Sequence, residues 1–217
     1  MSRKVVAEFI GALLLAACVV GSGIMAERLA AGNAAVALLA NTIATMAVLG
    51  ALIATLGPVS GAHFNPVISA VALGRRELDA RTASLYVLAQ LAGCCAGALL
   101  ANAMFELPVV QASTHVRSGG AAWLSELVAT AGLVLVAFRS PSTDQAAWRV
   151  ALWIGAAYWF TSSTSFANPA ITLARSLSDS FAGIRPVDVP GFICAQVGGG
   201  IVGAALLPLV AGRKGTA

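Results

Sequence analysis

The chain has 217 residues, 59% of them hydrophobic and only 10% charged, with a mean hydropathy of +0.87. Soluble domains carry roughly 25% charged residues, so this chain lacks the polar groups to face water on all sides. Its net charge of +4 comes without a basic cluster or an aromatic platform, which excludes a nucleic-acid partner.

The apolar residues fall in stretches long enough to cross a ~30 Å hydrocarbon core, which takes ~20 helical residues. Six such spans are predicted, at 5–26, 34–56, 83–103, 121–138, 147–164 and 189–210. The first follows Met-Ser-Arg-Lys as a signal peptide would, but it is too long for a signal's apolar region and carries Glu8. It reads as a retained span. Two further apolar segments, 65–74 and 168–178, have about half the length of a span. Each opens on Asn-Pro: Asn65-Pro66-Val67 and Asn168-Pro169-Ala170. Asn caps a helix start, and Pro at the first helical position wastes no donor. Both segments are predicted to be half-helices.

The order is then span, span, half-helix, span, used twice. Glu8 in Ala-Glu-Phe-Ile matches Glu126 in Ser-Glu-Leu-Val, and Gln90, Gly93 and Gly97 match Gln196, Gly199 and Gly203. Three spans per half set the halves in opposite orientations, an inverted repeat. The expected fold is all-α: six transmembrane helices and two re-entrant half-helices in one channel domain over 1–217, with half-repeats at about 5–103 and 121–210. With the N-terminus inside, the cytoplasmic face holds Arg3, Lys4, Arg75, Arg76, Arg81, Arg139, Arg149, Arg213 and Lys214, and the outer face Arg28, Arg117, Arg175 and Arg185. The excess favours both termini in the cytoplasm of a cell inner membrane.

Half-helices in hydrocarbon must be buried in protein or line a wet cavity. Entering from opposite sides, they meet N-terminus to N-terminus and point two positive dipole ends at the midplane, where the amides of Asn65 and Asn168 add donors. A small polar molecule is welcome there; a cation or proton meets a barrier. The four cysteines, Cys18, Cys94, Cys95 and Cys194, lie inside apolar runs without metal-ligand spacing and read as packing residues. No cofactor, metal site or catalytic set is expected, because two separated histidines and scattered cysteines supply no nucleophile–base pair. A secondary transporter also uses inverted repeats and broken helices, but it normally shows a charged or ion-coordinating midplane.

The segments Ser60-Gly61-Ala62-His63-Phe64-Asn65-Pro66-Val67 and Ser165-Phe166-Ala167-Asn168-Pro169-Ala170 resemble the paired Asn-Pro-Ala boxes of aquaporins and aquaglyceroporins. The resemblance covers nearly the whole chain, with Val67 in place of Ala a mild departure. It implies a homotetramer in membrane lipid, each subunit with its own pore for water or small neutral solutes. It also implies that Glu8 and Glu126 are structural carboxylates holding the half-helix loops, and that His63 lines the cytoplasmic mouth. Counting from the boxes as the family does, the outer filter falls on Thr45, Ala156, Ser165 and Ile171. The aromatic, His and Arg of water-selective members are missing from that set, so the resemblance implies a wide, arginine-free constriction passing polyols or neutral metalloid hydroxides such as arsenous acid. Two other readings stand beside it. Arg175, four residues beyond Ile171, reads first as a solvated or phosphate-facing residue at the outer end; alternatively it could act as a displaced filter arginine, or Tyr158 or Trp159 could turn inward, and either of these would make the pore water-selective. The segment 171–179 is similar to a bacterial branch associated with metalloid resistance.

Overall fold

The computed structural model describes residues 2–210, so Arg213 and Lys214 of the charge argument lie outside the described residues. Among the described residues eight α-helices carry the fold: α1 (Arg3–Leu29), α2 (Ala34–Ser60), α3 (Pro66–Gly74), α4 (Ala80–Met104), α5 (Gly120–Phe138), α6 (Thr143–Phe160), α7 (Pro169–Arg175) and α8 (Val189–Leu206). No strand occurs among the described residues. Five regions, α1, α2, α4, α5 and Pro186–Leu206, are long and apolar enough to cross a membrane. The 18 residues of α6 extend about 27 Å at 1.5 Å per residue, and the helix carries Asp144 and Arg149 near its start.

Local chemistry starts and stops these helices. Asp79 caps α4 by accepting from the Thr82 N–H, and Asn33 caps α2 by accepting from Ala35 and Val36. Ser142 caps α6 through the Gln145 N–H, so this span runs four residues ahead of the predicted 147–164. The hydropathy pattern places it late because its first turn is polar, whereas Ser142 with Gln145 three residues on has the spacing of a capping box.

Packing follows the repeat. In the first half α1 lies against α2 and α4; in the second α5 lies against α6 and α8. The halves join where α2 meets α6 and where each half-helix touches both third spans, α3 on α4 and α8, α7 on α4 and α8. Close approach requires glycine at the equivalent helix crossings. A Cβ on Gly93 would sit 2.4 Å from the Phe9 carbonyl oxygen, and one on Gly199 would sit 2.4 Å from that of Leu127. Small residues at such spacing let membrane helices pack backbone to backbone.

The outer surface is apolar. Ile43, Leu88, Leu124, Leu152, Ile201 and Leu209 all point outward and exposed, an area no water-soluble monomer leaves uncovered. Trp123 near one end of α5, and Trp148 and Trp159 at opposite ends of α6, are also exposed, as residues of a membrane interface are.

Candidate functional site

Asn65 and Asn168 are the N-caps of α3 and α7. The Asn65 side-chain oxygen accepts from the Val67 N–H, and that of Asn168 from Ala170 and Ile171. With the oxygens so committed, each amide nitrogen faces the opposite half. Asn65 Nδ2 donates to the Ala167 carbonyl at 2.8 Å, and Asn168 Nδ2 donates to the Phe64 carbonyl at 2.8 Å. These reciprocal bonds clamp the half-helices N-terminus to N-terminus, and each amide keeps a second N–H. Pro66 and Pro169 stand at N1 of the two helices.

The loops that deliver the two asparagines have unusual backbones. Ala62 and Phe64 in the first, and Thr164, Ser165 and Ala167 in the second, have φ between 47° and 61°. Non-glycine residues in this left-handed region cost on the order of 1–3 kcal/mol each and persist only where surroundings over-determine them. One buried carboxylate per loop does so. Glu8 accepts from Ser60 Oγ at 2.7 Å, the His63 N–H at 3.0 Å, the Phe64 N–H at 2.7 Å and Gln90 Nε2 at 2.8 Å. Glu126 accepts from Ser163 Oγ at 2.6 Å, Phe166 N–H at 2.9 Å, Ala167 N–H at 2.8 Å and Gln196 Nε2 at 2.7 Å. Gln90 also donates to Ser69 Oγ, and Gln196 to Thr172 Oγ1. The two networks match residue for residue.

Past these loops runs a narrow cavity of about 170 Å³. Phe138, Ala146 and Val150 line its end nearest the chain termini; His63, Asn65 and Asn168 line its middle; Thr45, Tyr158, Ser165, Phe166, Ile171 and Arg175 line the far end. His63 Nδ1 lies 3.0 Å from Ser69 Oγ, with its ring edge-on to Tyr86. Pro66, Val67 and Pro169 face away from this cavity into a separate apolar groove, and Ala170 is fully buried.

Of the four filter positions expected by counting, Thr45, Ser165 and Ile171 line the cavity and Ala156 does not. Ala156 is exposed on the outside of α6. Residues two apart on a helix are about 200° apart around its axis, so Tyr158 takes the inward face, 3% exposed, with its hydroxyl 3.3 Å from Thr45 Oγ1. Trp159 points outward. An arginine does stand beside these residues, the one the sequence offered as a displaced filter residue. Arg175 lines the cavity's far end, buried, with its guanidinium carbon 3.4 Å from the centroid of Phe166. Its Nε donates to the Ala182 carbonyl.

Arg117, on the loop between α4 and α5, was legible in the sequence only as a charge. Its guanidinium donates to the carbonyls of Gly183 and Phe181 at 2.7 and 3.1 Å and sits 5.2 Å from the Phe166 centroid. Beside it, burial first and then the Arg117 and Arg175 charges hold the His115 imidazole below its usual range.

The passage is lined by amides, hydroxyls, the His63 imidazole, the Arg175 guanidinium and apolar walls, and the Glu8 and Glu126 carboxylates behind its loops are saturated by donors. The profile of the family described as Major intrinsic protein matches residues 1–163 and 140–216. The chain belongs to the major intrinsic protein family. It is 52% identical over 209 residues to the aquaglyceroporin AqpS of Rhizobium meliloti (strain 1021), a match covering 95% of this chain and 89% of that protein. It is 34% identical to aquaporin-2 of Ovis aries over 149 residues, 66% of this chain and 52% of the relative. Among solved structures, the aquaglyceroporin from Plasmodium falciparum superposes with a TM-score of 0.68 over 96% of both chains, at 20% identity, a likeness of fold alone. As a member of this family the chain is a membrane channel protein, and its helices have the aquaporin arrangement.

Proposed function

We propose that this channel passes water and small uncharged solutes, both glycerol-like polyols and neutral metalloid hydroxides such as arsenous acid, passively and without catalysis. The observation that carries the reading is the make-up of the cavity's far end. Thr45, Tyr158 and Ser165 bring hydroxyl-bearing side chains to it, and Ile171 an apolar one. A polyol or trihydroxide shows such a passage both hydroxyls to bond and a body to pack. The half-helix dipoles and the amides of Asn65 and Asn168 oppose cations and protons at the midplane. The 52% identity to a protein named an aquaglyceroporin supports the solute class.

The selectivity filter in this reading is Thr45, Tyr158, Ser165 and Ile171, with Arg175 beyond them. His63 lines the passage beside the two asparagines, on the side away from Arg175, and Glu8 and Glu126 hold the loops. The channel is one domain of two half-repeats, about 5–103 and 121–210, assembled as a homotetramer in the cell inner membrane with both termini cytoplasmic. That orientation puts the Arg175 end outside.

A second reading, a water-selective channel, is favoured by the aromatic Tyr158 and the cationic Arg175 lining the same constriction. Stopped-flow swelling of proteoliposomes decides between them, with water, glycerol, urea and arsenous acid compared side by side. The proposal expects glycerol and arsenous acid flux well above that of protein-free liposomes, and a several-fold rise in glycerol relative to water flux in Tyr158→Ala. Wild-type protein that passes water alone establishes the second reading.

A further inference from the structure

At the far mouth of the cavity the Arg175 guanidinium lines the passage with Arg117 close behind it, and among the described residues neither makes a salt bridge. Arg175 and Arg117 both lie over the Phe166 ring, with guanidinium carbons 3.4 and 5.2 Å from its centroid. Arg117 is held by neutral acceptors, the Phe181, Gly183 and Ser163 carbonyls and Thr164 Oγ1. Arg175 is 2% exposed, donates through Nε to one carbonyl, and leaves Nη1 without a partner.

The nearby carboxylates are engaged elsewhere. Glu126 is saturated by four donors. Asp188 pairs with Arg185 and takes the Arg117 backbone N–H. Asp179 is bonded by Thr114, and Glu27 by the Phe181 N–H. Ion pairs among the described residues are confined to Arg75–Glu77 and Arg185–Asp188. The carbonyls satisfy N–H groups but carry no counter-charge, and the Glu126 carboxylate, whose field reaches both guanidinium groups, sets one negative charge against two positive ones. A charge in a low-dielectric site without a counter-charge is costly. Beside Arg175 the cavity also presents the Tyr158 hydroxyl and Ser165 Oγ, which has no partner.

We infer that this mouth is a binding site for a small monovalent oxyanion or carboxylate, held by the Arg175 guanidinium in the field of Arg117 and by the Ser165 and Tyr158 hydroxyls. The bound anion sits in the constriction, so it competes with the neutral solutes that pass there. The competition rests on the channel reading above; the binding does not.

The probe is methanesulfonate, charged at every working pH, with dimethyl sulfone as its uncharged counterpart of similar shape and gluconate, too large for the mouth, balancing ionic strength. Two measurements run in parallel: thermal unfolding of the detergent-solubilised protein and glycerol swelling of proteoliposomes. Methanesulfonate is expected to raise the unfolding temperature saturably and to slow glycerol entry; dimethyl sulfone does neither. In Arg175→Gln its affinity falls roughly tenfold or more, as losing one charge-assisted hydrogen bond implies, while Arg175→Lys retains most of it. An absent thermal shift in the wild type overturns the site, and this arm needs no variant to fold. An effect matched by dimethyl sulfone, or unchanged in Arg175→Gln, overturns it too. A thermal shift in a protein that passes no glycerol keeps the site and refutes the polyol reading instead.

Discussion

Val67 stands where the second box has Ala170, and the extra methyl groups need room. That room is a missing side chain on α8. A Cβ built on Gly200 would lie 2.4 Å from Val67 Cγ1, far inside contact distance, and a β-branched valine in a helix has essentially one rotamer with which to evade it. Gly200→Ala is therefore expected to cost about 1–3 kcal/mol by overpacking. Combined with Val67→Ala, the new methyl group occupies the vacated space, and the double variant should unfold at a higher temperature than Gly200→Ala alone. Additive losses across this double-mutant cycle would show that the two residues do not share the space. The departure from Asn-Pro-Ala was visible in the sequence; its compensation was not, because Gly200 sits in a run of three glycines whose spacing alone does not say which one faces α3. Tyr158 was hidden for a different reason. Counting from a box assumes a loop of standard length, and the path from the end of α6 at Phe160 to Asn168 turns Tyr158 inward and Ala156 outward.

At the scale of elements, the half-helices were the most legible part of the chain. Asn-Pro states both the cap and the first turn, and the structure starts α3 at Pro66 and α7 at Pro169. What keeps two such short helices in place lies outside them, in a carboxylate at the start of each half. Four donors converge on Glu126, two of them backbone N–H groups: that of Phe166, between two left-handed residues, and that of Ala167, itself left-handed. Glu126→Gln keeps the shape but removes the charge and turns one acceptor into a donor that faces other donors. Hydrogen bonds to charged groups contribute about 1.5–3 kcal/mol each, so this single change should lower stability by at least about 3 kcal/mol and reduce flux of every solute in parallel. A proton-relay carboxylate would behave otherwise: Glu126→Gln would fold normally and lose only a pH-dependent component of transport. Thermal unfolding beside water and glycerol flux at several pH values separates the two, and Glu8→Gln should give the same result through the other loop. The pairing of Glu8 with Glu126 was readable as a repeat, but that each would meet Ser60 or Ser163 needed the backbone path.

For the whole molecule, the structure sharpens the argument for orientation. The sequence sets thirteen basic residues on two faces, yet a basic residue biases topology only where it meets the membrane surface. Arg117 and Arg175 do not: both are drawn inward over the Phe166 ring. On that face only Arg28 and Arg185 remain outside the cavity. On the other, Arg3, Lys4, Arg75, Arg76 and Arg81 are exposed and Arg139 lies at the end of α5. The imbalance is thus steeper than the loop count suggested, and it predicts the loop between α3 and α4 in the cytoplasm and the loop between α4 and α5 outside. The test begins with a variant in which Cys18, Cys94, Cys95 and Cys194 are replaced by Ala. Single cysteines are then introduced as Glu77→Cys and Ser118→Cys, both at exposed positions, and intact cells are treated with a membrane-impermeant maleimide. Ser118→Cys should label before lysis and Glu77→Cys only after it. The opposite pattern would invert the channel, put the Arg117–Arg175 mouth in the cytoplasm, and require that the small anions reaching it be sought among intracellular carboxylates and oxyanions.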